Sequence, residues 1–173
     1  DDASVVMSDL ENGMYDLTKE VINLGYRNIA YLTGDDAVVS LRLREYGFKK
    51  AAEQSNADSY IYRLEKLSYR AAHDAINEIM KSRPDTDAFV CVNDMIAAGA
   101  LNALTEMNYK IPQIGVAGFD NVIFSRISFP RISTVEQNIE TMAKKSVELL
   151  TKKENNKVIL PTKIIKRESL RGE

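Results

Sequence analysis

Three short runs constrain this chain more than anything else in it: NIAYLT at 28–33, AFVCV at 88–92 and IGVAGF at 114–119. Each is apolar almost throughout and lacks the inside–outside alternation of a strand with one wet face. Strands of this kind are covered on both sides, as in a parallel sheet sandwiched between helices. The intervening segments supply those helices. Met14, Leu17, Val21 and Leu24 recur at helical spacing ahead of Gly25, a natural stop. Ser40 is placed to cap a helix whose inner face is Arg44, Gly47, Phe48, Ala51 and Ala52. Ser68 is placed to cap another carrying Ala72, Ala75, Ile76, Ile79 and Met80, with Pro84 just past its end. Further helices are predicted from Asp94 to Met107 and through Ile139, Met142, Ala143, Val147 and Leu150. Asn108 stands where a glycine usually ends a helix, and asparagine tolerates left-handed geometry better than most residues.

Additional extended segments are predicted at 5–7, 59–64, 131–135 and 162–168, with a turn at 155–157. Strand–helix alternation with right-handed crossovers gives an α/β fold, a doubly wound parallel sheet. In such sheets ligands bind in the crevice at the carboxyl ends of the strands. Those ends are therefore where function is sought.

The predicted strand ends are polar in a repeated way. The run 88–92 ends in Asn93-Asp94, and 114–119 ends in Asp120-Asn121. The run 28–33 leads through Gly34-Asp35-Asp36 to Ser40 and Arg42, and 5–7 leads to Ser8-Asp9. Asp94 is expected to cap the helix that follows it. Asn93 then offers two donors and an acceptor at the mouth of the crevice. For Asp120, a loop cap and a cleft group are equal alternatives. Arg42 and Arg44 both fall in a first helical turn, where positive charge opposes the macrodipole by about 0.3–1 kcal/mol each. For Arg44 the expectation is an ion pair with Asp35, Asp36 or Glu45. For Arg42 a guanidinium reaching into the cleft stands beside that plainer alternative, since its planar donors suit paired hydroxyls or a carboxylate.

Composition narrows the function classes. The net charge is −2, and no cluster of Lys and Arg is dense enough to displace counterions from nucleic acid. No apolar run approaches the roughly 20 residues that cross a bilayer, so no membrane partner is expected. The opening DDASVVMSD is acidic, whereas a secretory signal starts positive. The missing initiator Met reads as a fragment or a processed product. Cys91 lies in an apolar strand and is expected to be an inert core residue. A reducing cytoplasm fits. There is no P-loop, no G-x-S-x-G, no G-x-G-x-x-G and no Cys/His metal spacing. No catalytic residue, metal or cofactor is therefore expected. The one histidine, His73, falls on a polar helix stripe and is expected to be solvated. Asn, Asp, Arg and Gln without a nucleophile suit holding a neutral polyol better than breaking bonds.

Five segments carry a family resemblance: LGYRNIAYLTG, SLRLREYGFKKA, PDTDAFVCVNDMIAAGALNAL, KIPQIGVAGFDN and RISTVEQNIETMAKKSVELL. Their order and spacing resemble lactose-repressor-type bacterial transcription regulators, from about Val5 to the end of the chain. The resemblance implies a periplasmic-binding-protein-like effector domain, with two lobes joined by three crossovers and a ligand between them. It assigns residues 1–26 and 134–152 to remnants of the N-terminal lobe. Residues 27–133 and 153–173 fall to the C-terminal, distal lobe. Most of the first lobe and the DNA-binding head would lie outside this chain.

By motif, Arg42 resembles the family's sugar-contacting arginine, Asn93 and Asp120 match two further ligand contacts, and Gln137 matches a less uniform fourth. Asp9 sits where the family often places an acidic residue at the cleft, with Asn12 a weaker candidate. Tyr26 replaces the usual histidine and Asn108 the usual glycine, neither of them at the cleft. The spacing of Arg42 favours a sugar over a purine.

Helix 94–107 is apolar on most sides, and the family dimerises through this helix and the loop around Ile127. The implied function is a cytoplasmic, carbohydrate-responsive transcription regulator of the repressor class. It would bind a mono- or disaccharide, dimerise through the region of Ala98 and Ile127, and hold operator DNA through the absent head. A solute-binding protein of a sugar transport system is the alternative. A small α/β enzyme is a third class, disfavoured by the missing nucleophile and base.

Overall fold

The computed structural model describes residues 4–152 and 156–172. In chain order it begins with β1 (Val5–Ser8), α1 (Leu10–Asn23), β2 (Asn28–Thr33), α2 (Val39–Glu53) and β3 (Asp58–Arg63). It continues with α3 (Tyr69–Ser82), β4 (Ala88–Cys91), α4 (Asp94–Glu106), β5 (Gly115–Ala117) and α5 (Ile123–Ile127). It ends with β6 (Thr134–Glu136), α6 (Ile139–Lys152), β7 (Lys157–Leu160) and β8 (Lys163–Ile165).

The central sheet has the order β3-β2-β4-β5, with every pairing parallel. Strands β2 and β4 are inner strands, and the residues from Ile29 to Leu32 and from Ala88 to Cys91 are buried. That burial is the physical content of their unbroken apolar runs. The predicted parallel α/β sheet is thus present. Its register aligns Leu32 with Cys91 and Val90 with Ala117. The segments leaving β2, β4 and β5 therefore emerge along one rim.

Helix α1 packs against α2, and α3 against α4. The first pair is unusually close at Gly47. A Cβ built there would lie 2.1 Å from the Glu11 carbonyl oxygen, so only glycine allows this approach. Below α2, Phe48 stacks on Tyr31 of β2 with ring centroids 4.7 Å apart. A pair of this kind contributes about 1 kcal/mol beyond the area it buries.

Two smaller ladders flank the sheet. Strand β6 runs beside the end of β5 through the bridges Ala117 to Ser133 and Asp120 to Glu136, and it pairs antiparallel with β8. Strand β1 pairs in parallel with β7, and α6 packs on β1. Meanwhile Met14, Leu17 and Val21 of α1 are fully buried in the main core. Packing thus groups α1 with the central sheet, and β7 with β1 and α6.

Several local expectations change. Helix α1 starts at Leu10, capped by Asp9, rather than at Met14. Ser40 does not cap α2: the cap position is Val38, without a side-chain bond, and the Leu41 and Arg42 N–H groups both donate to its carbonyl at 3.0 Å. A turn begun at Asp35, whose carboxylate accepts from the Ala37 N–H at 2.9 Å, winds into the helix early and leaves Ser40 inside it. Strand β7 and the short helix α5 were not predicted. The turn expected at 155–157 begins outside the described residues. Asn108 ends its helix at φ 62°, the left-handed geometry expected of it. Among the described residues no helix is long and apolar enough to cross a membrane.

Candidate functional site

The rim of the central sheet gathers a bonded cluster around Asp120. This residue follows β5 in a turn where both Asp120 (φ 101°) and Asn121 (φ 52°) are left-handed without being glycine. Such backbone persists only where surrounding bonds over-determine it, and it concentrates at functional sites. The Asp120 N–H donates to the Val135 carbonyl at 2.8 Å, which fixes the turn against β6. Its Oδ1 accepts from Arg44 Nη2 at 2.9 Å and from Gln137 Nε2 at 2.6 Å.

Arg44, not Arg42, is the arginine of this cluster. It is only 7% exposed, its Nη1 donates to the Val92 carbonyl at 2.6 Å, and its guanidinium lies 4.1 Å over the Phe119 ring. The ion pair expected with Asp35, Asp36 or Glu45 is replaced by this one, 76 residues away in sequence. Glu45 points the other way and takes a two-point bond from Arg63 at 2.8 and 3.0 Å. Burial alone would raise the Glu45 carboxyl, but the bonds from Arg63 and Lys49 outweigh it and hold it below the ordinary range. Arg63 also donates to the Gly34 carbonyl at 3.0 Å, which ties down the loop after β2.

Arg42 is half-buried and donates to the Asp36 carbonyl at 3.2 Å, with no bond to the Asp120 cluster. Asn93 lies between Val92, whose carbonyl holds Arg44, and Asp94, whose N–H donates to Phe119 at 2.9 Å. It is thus on the same rim. The roles expected of Asn93 and Asp94 are exchanged, however. Asn93 is the cap of α4, its Oδ1 accepting from the Ile96 N–H at 3.0 Å. Its amide nitrogen remains for another partner. Asp94 is fully buried and bonds forward to Val122 and Thr134. Asp9 accepts from the Asn12 N–H at 3.1 Å and from Asn12 Nδ2 at 2.7 Å, so these two candidates engage each other at the start of α1.

Of the five site residues expected from sequence, Asp120 and Gln137 are joined directly, Asn93 shares their rim, and Arg42 and Asp9 are bonded elsewhere. Arg44 was missed as a member of this cluster. The signal for it was in the sequence: an arginine on the inner face of an amphipathic helix, among Gly47, Phe48, Ala51 and Ala52, needs a partner inside. Beside the cluster a cavity of about 650 Å³ is lined by Asp120, Asn121, Arg126, Gln137, Thr162 and Lys163, among others. Its size is within the usual range for small-molecule sites, about 300–1,000 Å³. Among the described residues no group of His, Cys, Asp or Glu is arranged to hold a metal ion. Cys91 is fully buried, and burial pushes its thiol far above the ordinary value. His73 is not simply solvated: its Nε2 lies 2.8 Å from Glu106 Oε2, linking α3 to α4.

A family model described as periplasmic binding protein-like domain matches residues 18–170. The chain belongs to this family. It is 34% identical over 146 residues to the uncharacterized HTH-type transcriptional regulator YvdE of Bacillus subtilis, which covers 84% of this chain and 46% of that protein. It is 28% identical over 152 residues to the HTH-type transcriptional repressor PurR of Mannheimia succiniciproducens, covering 86% and 46%. The chain spans about half the length of these relatives.

Among solved structures, a LacI family transcriptional regulator from Silicibacter pomeroyi superposes with a TM-score of 0.88 at 30% identity, over 99% of this chain and 66% of that one. The transcriptional regulator CelR in complex with cellobiose gives 0.86 at 25% identity, over 96% and 54%. The likeness read from the sequence to lactose-repressor-type regulators is borne out, as is the periplasmic-binding-protein-like α/β class. These named relatives are regulators, which disfavours the transport alternative.

Proposed function

We propose that this chain is the effector-sensing part of a bacterial transcription regulator, and that its effector is a saccharide held at the rim formed by Arg44, Asn93, Asp120 and Gln137. The observation that carries the proposal is the Asp120 cluster. One carboxylate accepts from both a buried guanidinium and an amide, at 2.9 and 2.6 Å, beside a cavity. Fixed donors and acceptors of this kind match sugar hydroxyls, which both give and take hydrogen bonds. The cellobiose held by CelR supports a saccharide. Arg42, whose spacing favours a sugar over a purine, is bonded to the Asp36 carbonyl, and Arg44 carries no such preference, so purines are tested alongside saccharides. Arg42 and Asp9, already bonded to Asp36 and Asn12, are assigned to shaping the loops.

In the whole protein, β1, α6 and β7 would belong to a second lobe, and the remainder to the distal lobe. Ligand bridging the lobes would favour the closed state by its differential contacts and so alter operator affinity through a head domain. Repression of carbohydrate-utilisation genes in the cytoplasm is the setting that suits this arrangement. No step of it requires an enzymatic activity.

The dimer surface we assign is the apolar groove between α4 and α5, about 330 Å³, whose walls include Tyr69, Ala98, Leu101, Phe124, Ile127 and Phe129. Phe129 is 92% exposed and Ile127 69%, a combination that favours a protein partner over water.

The test is a thermal-shift screen of the intact protein against mono- and disaccharides, with purines alongside. A ligand at a hundredfold excess over its dissociation constant raises stability by about 2.7 kcal/mol. A shift with a saccharide, lost in Arg44→Ala, is the expected result. A shift with a purine alone, or with no compound tried, overturns the saccharide assignment.

A further inference from the structure

Asp94 is fully buried, yet it does not cap its own helix; Asn93 does that. Instead it encloses the turn that carries Asp120. Its backbone N–H donates to the Phe119 carbonyl at 2.9 Å on one side of the turn. Its Oδ2 accepts from the Val122 N–H at 2.8 Å on the other side. Its Oδ1 accepts from Thr134 Oγ1 at 2.5 Å, and Thr134 Oγ1 in turn accepts from the Asn121 N–H at 3.3 Å. Gly118 makes room for this arrangement, since a Cβ there would lie 2.3 Å from Asp94 Oδ1. Four consecutive residues, two of them left-handed, are thus held from both ends by one acidic residue.

We infer that Asp94 is a positioning residue for the ligand cleft: its ionised carboxylate locks the left-handed turn that aims Asp120 at Arg44 and Gln137. The inference deepens the proposed function, because it concerns the site assigned there. A carboxylate can accept at both oxygens, whereas a carboxylic acid must offer one as a donor. Protonation therefore leaves either the Val122 N–H or the Thr134 hydroxyl without its acceptor, and the turn loosens.

The titratable and charged groups around Asp94 come from every neighbouring element. Asp120 lies on the turn itself and Cys91 on β4, and Glu136 of β6 accepts from Asn121 Nδ2 at 2.6 Å. Arg126 of α5 and Arg167, beyond β8, donate to Asn121 O and Oδ1 at 3.2 and 2.7 Å. Burial raises the Asp94 carboxyl to about 6, against the lowering effect of its bonds from Thr134 and Val122.

The test reads the turn without any ligand. Selective 15N-glutamine labelling of the intact protein gives side-chain amide signals to which this chain contributes three residues, Gln54, Gln113 and Gln137. Assignment follows from Gln137→Ala. In the parent, the Gln137 amide signal is expected to titrate with a midpoint near 6. In Asp94→Asn it is expected to stay fixed between pH 5 and pH 8. Thr134→Val, which keeps the charge and removes one bond to it, is expected to move the midpoint upward by at least half a pH unit and serves where Asp94→Asn does not fold. A Gln137 signal that ignores pH in the parent overturns the inference. So does an unchanged titration in Asp94→Asn or an unmoved midpoint in Thr134→Val. Because the readout uses no sugar, a negative saccharide screen would end the proposed function and leave the positioning role standing.

Discussion

Arg44 Nη2 and Asp120 Oδ1 meet at 2.9 Å, one from the inner face of α2 and the other from the turn after β5. The pair spans the carboxyl edge of the sheet, since the same guanidinium also holds the carbonyl at the end of β4. The fold thus converges on one carboxylate from three distant segments: α2, the β5–α5 turn and the start of the connection into α6.

Replacing Arg44 by lysine keeps a charge but loses the planar fork that reaches Val92 and Asp120 together. Arg44→Lys is expected to weaken binding of the saccharide that the screen returns at least tenfold, about 1.4 kcal/mol. Arg42→Ala, whose loss is one bond to the Asp36 carbonyl, is expected to weaken it less than threefold. Isothermal titration of the intact variants separates them. Equal losses would return Arg42 to the site, and an unaffected Arg44→Lys would remove Arg44 from it.

Gly47 offers a test of the fold alone. The Glu11 carbonyl oxygen lies 2.1 Å from where an alanine Cβ would be, and the Tyr15 nitrogen 2.9 Å. Both obstacles are backbone, so α1 and α2 must separate. Gly47→Ala is expected to lower stability by about 2 kcal/mol or more, in the overpacking range. The helix-propensity gain of about 1 kcal/mol from removing a glycine offsets only part of that. Urea denaturation measures the difference, and a stabilised variant would contradict the packing described for this pair.

How much of this could be read from the sequence follows from which signals are local. The continuous apolar runs of β2 and β4 specify strands buried on both faces, and their polar ends specify the rim. Asp120 was found because it stands at such an end, and Gln137 through the family resemblance of its segment. Arg44 was missed because its partner is chosen by tertiary structure: nearby acids in sequence look like partners, yet Arg63 takes Glu45, and Asp120 comes from 76 residues away. Asn93 and Asp94 were exchanged because either residue type caps a helix equally well. Only the position of Val122 and Thr134 decides which of them turns inward. Strand β7 escaped notice because KVIL is too short to signal itself without its partner β1.

The groove assigned to dimerisation predicts an effect on assembly without one on folding. Ile127 is 69% exposed, so an aspartate there disturbs little within one copy. In an interface core it would place an unpaired charge against apolar walls. Ile127→Asp in the intact protein is expected to raise the dimer dissociation constant at least tenfold while leaving the thermal unfolding of the separated copies unchanged. Sedimentation velocity over a concentration series reads the first quantity. An unaltered dimer would exclude this face as the contact.

His73 gives a pH signature that the sequence did not foresee. Its imidazole bridges Glu106 at 2.8 Å and Asp74 at 3.3 Å, and the bond to Glu106 is the chief reason its pKa lies above the ordinary value. A raised folded-state pKa means that the folded protein binds the proton more tightly than the unfolded chain. The stabilisation is therefore complete below the unfolded value of about 6.5 and is lost as pH rises through the folded value. His73→Gln is expected to be less stable than the parent at pH 5.5 and to approach it at pH 8.5. Glu106 is held below the ordinary carboxylate range chiefly by its bond from His73, and Asp74 chiefly by its bond from Arg70 with His73 adding to it. Screening by solvent keeps the effect small. The imidazole's own 1H titration is the direct measurement, and a His73 midpoint at or below the ordinary value would mean that Glu106 does not hold it in solution.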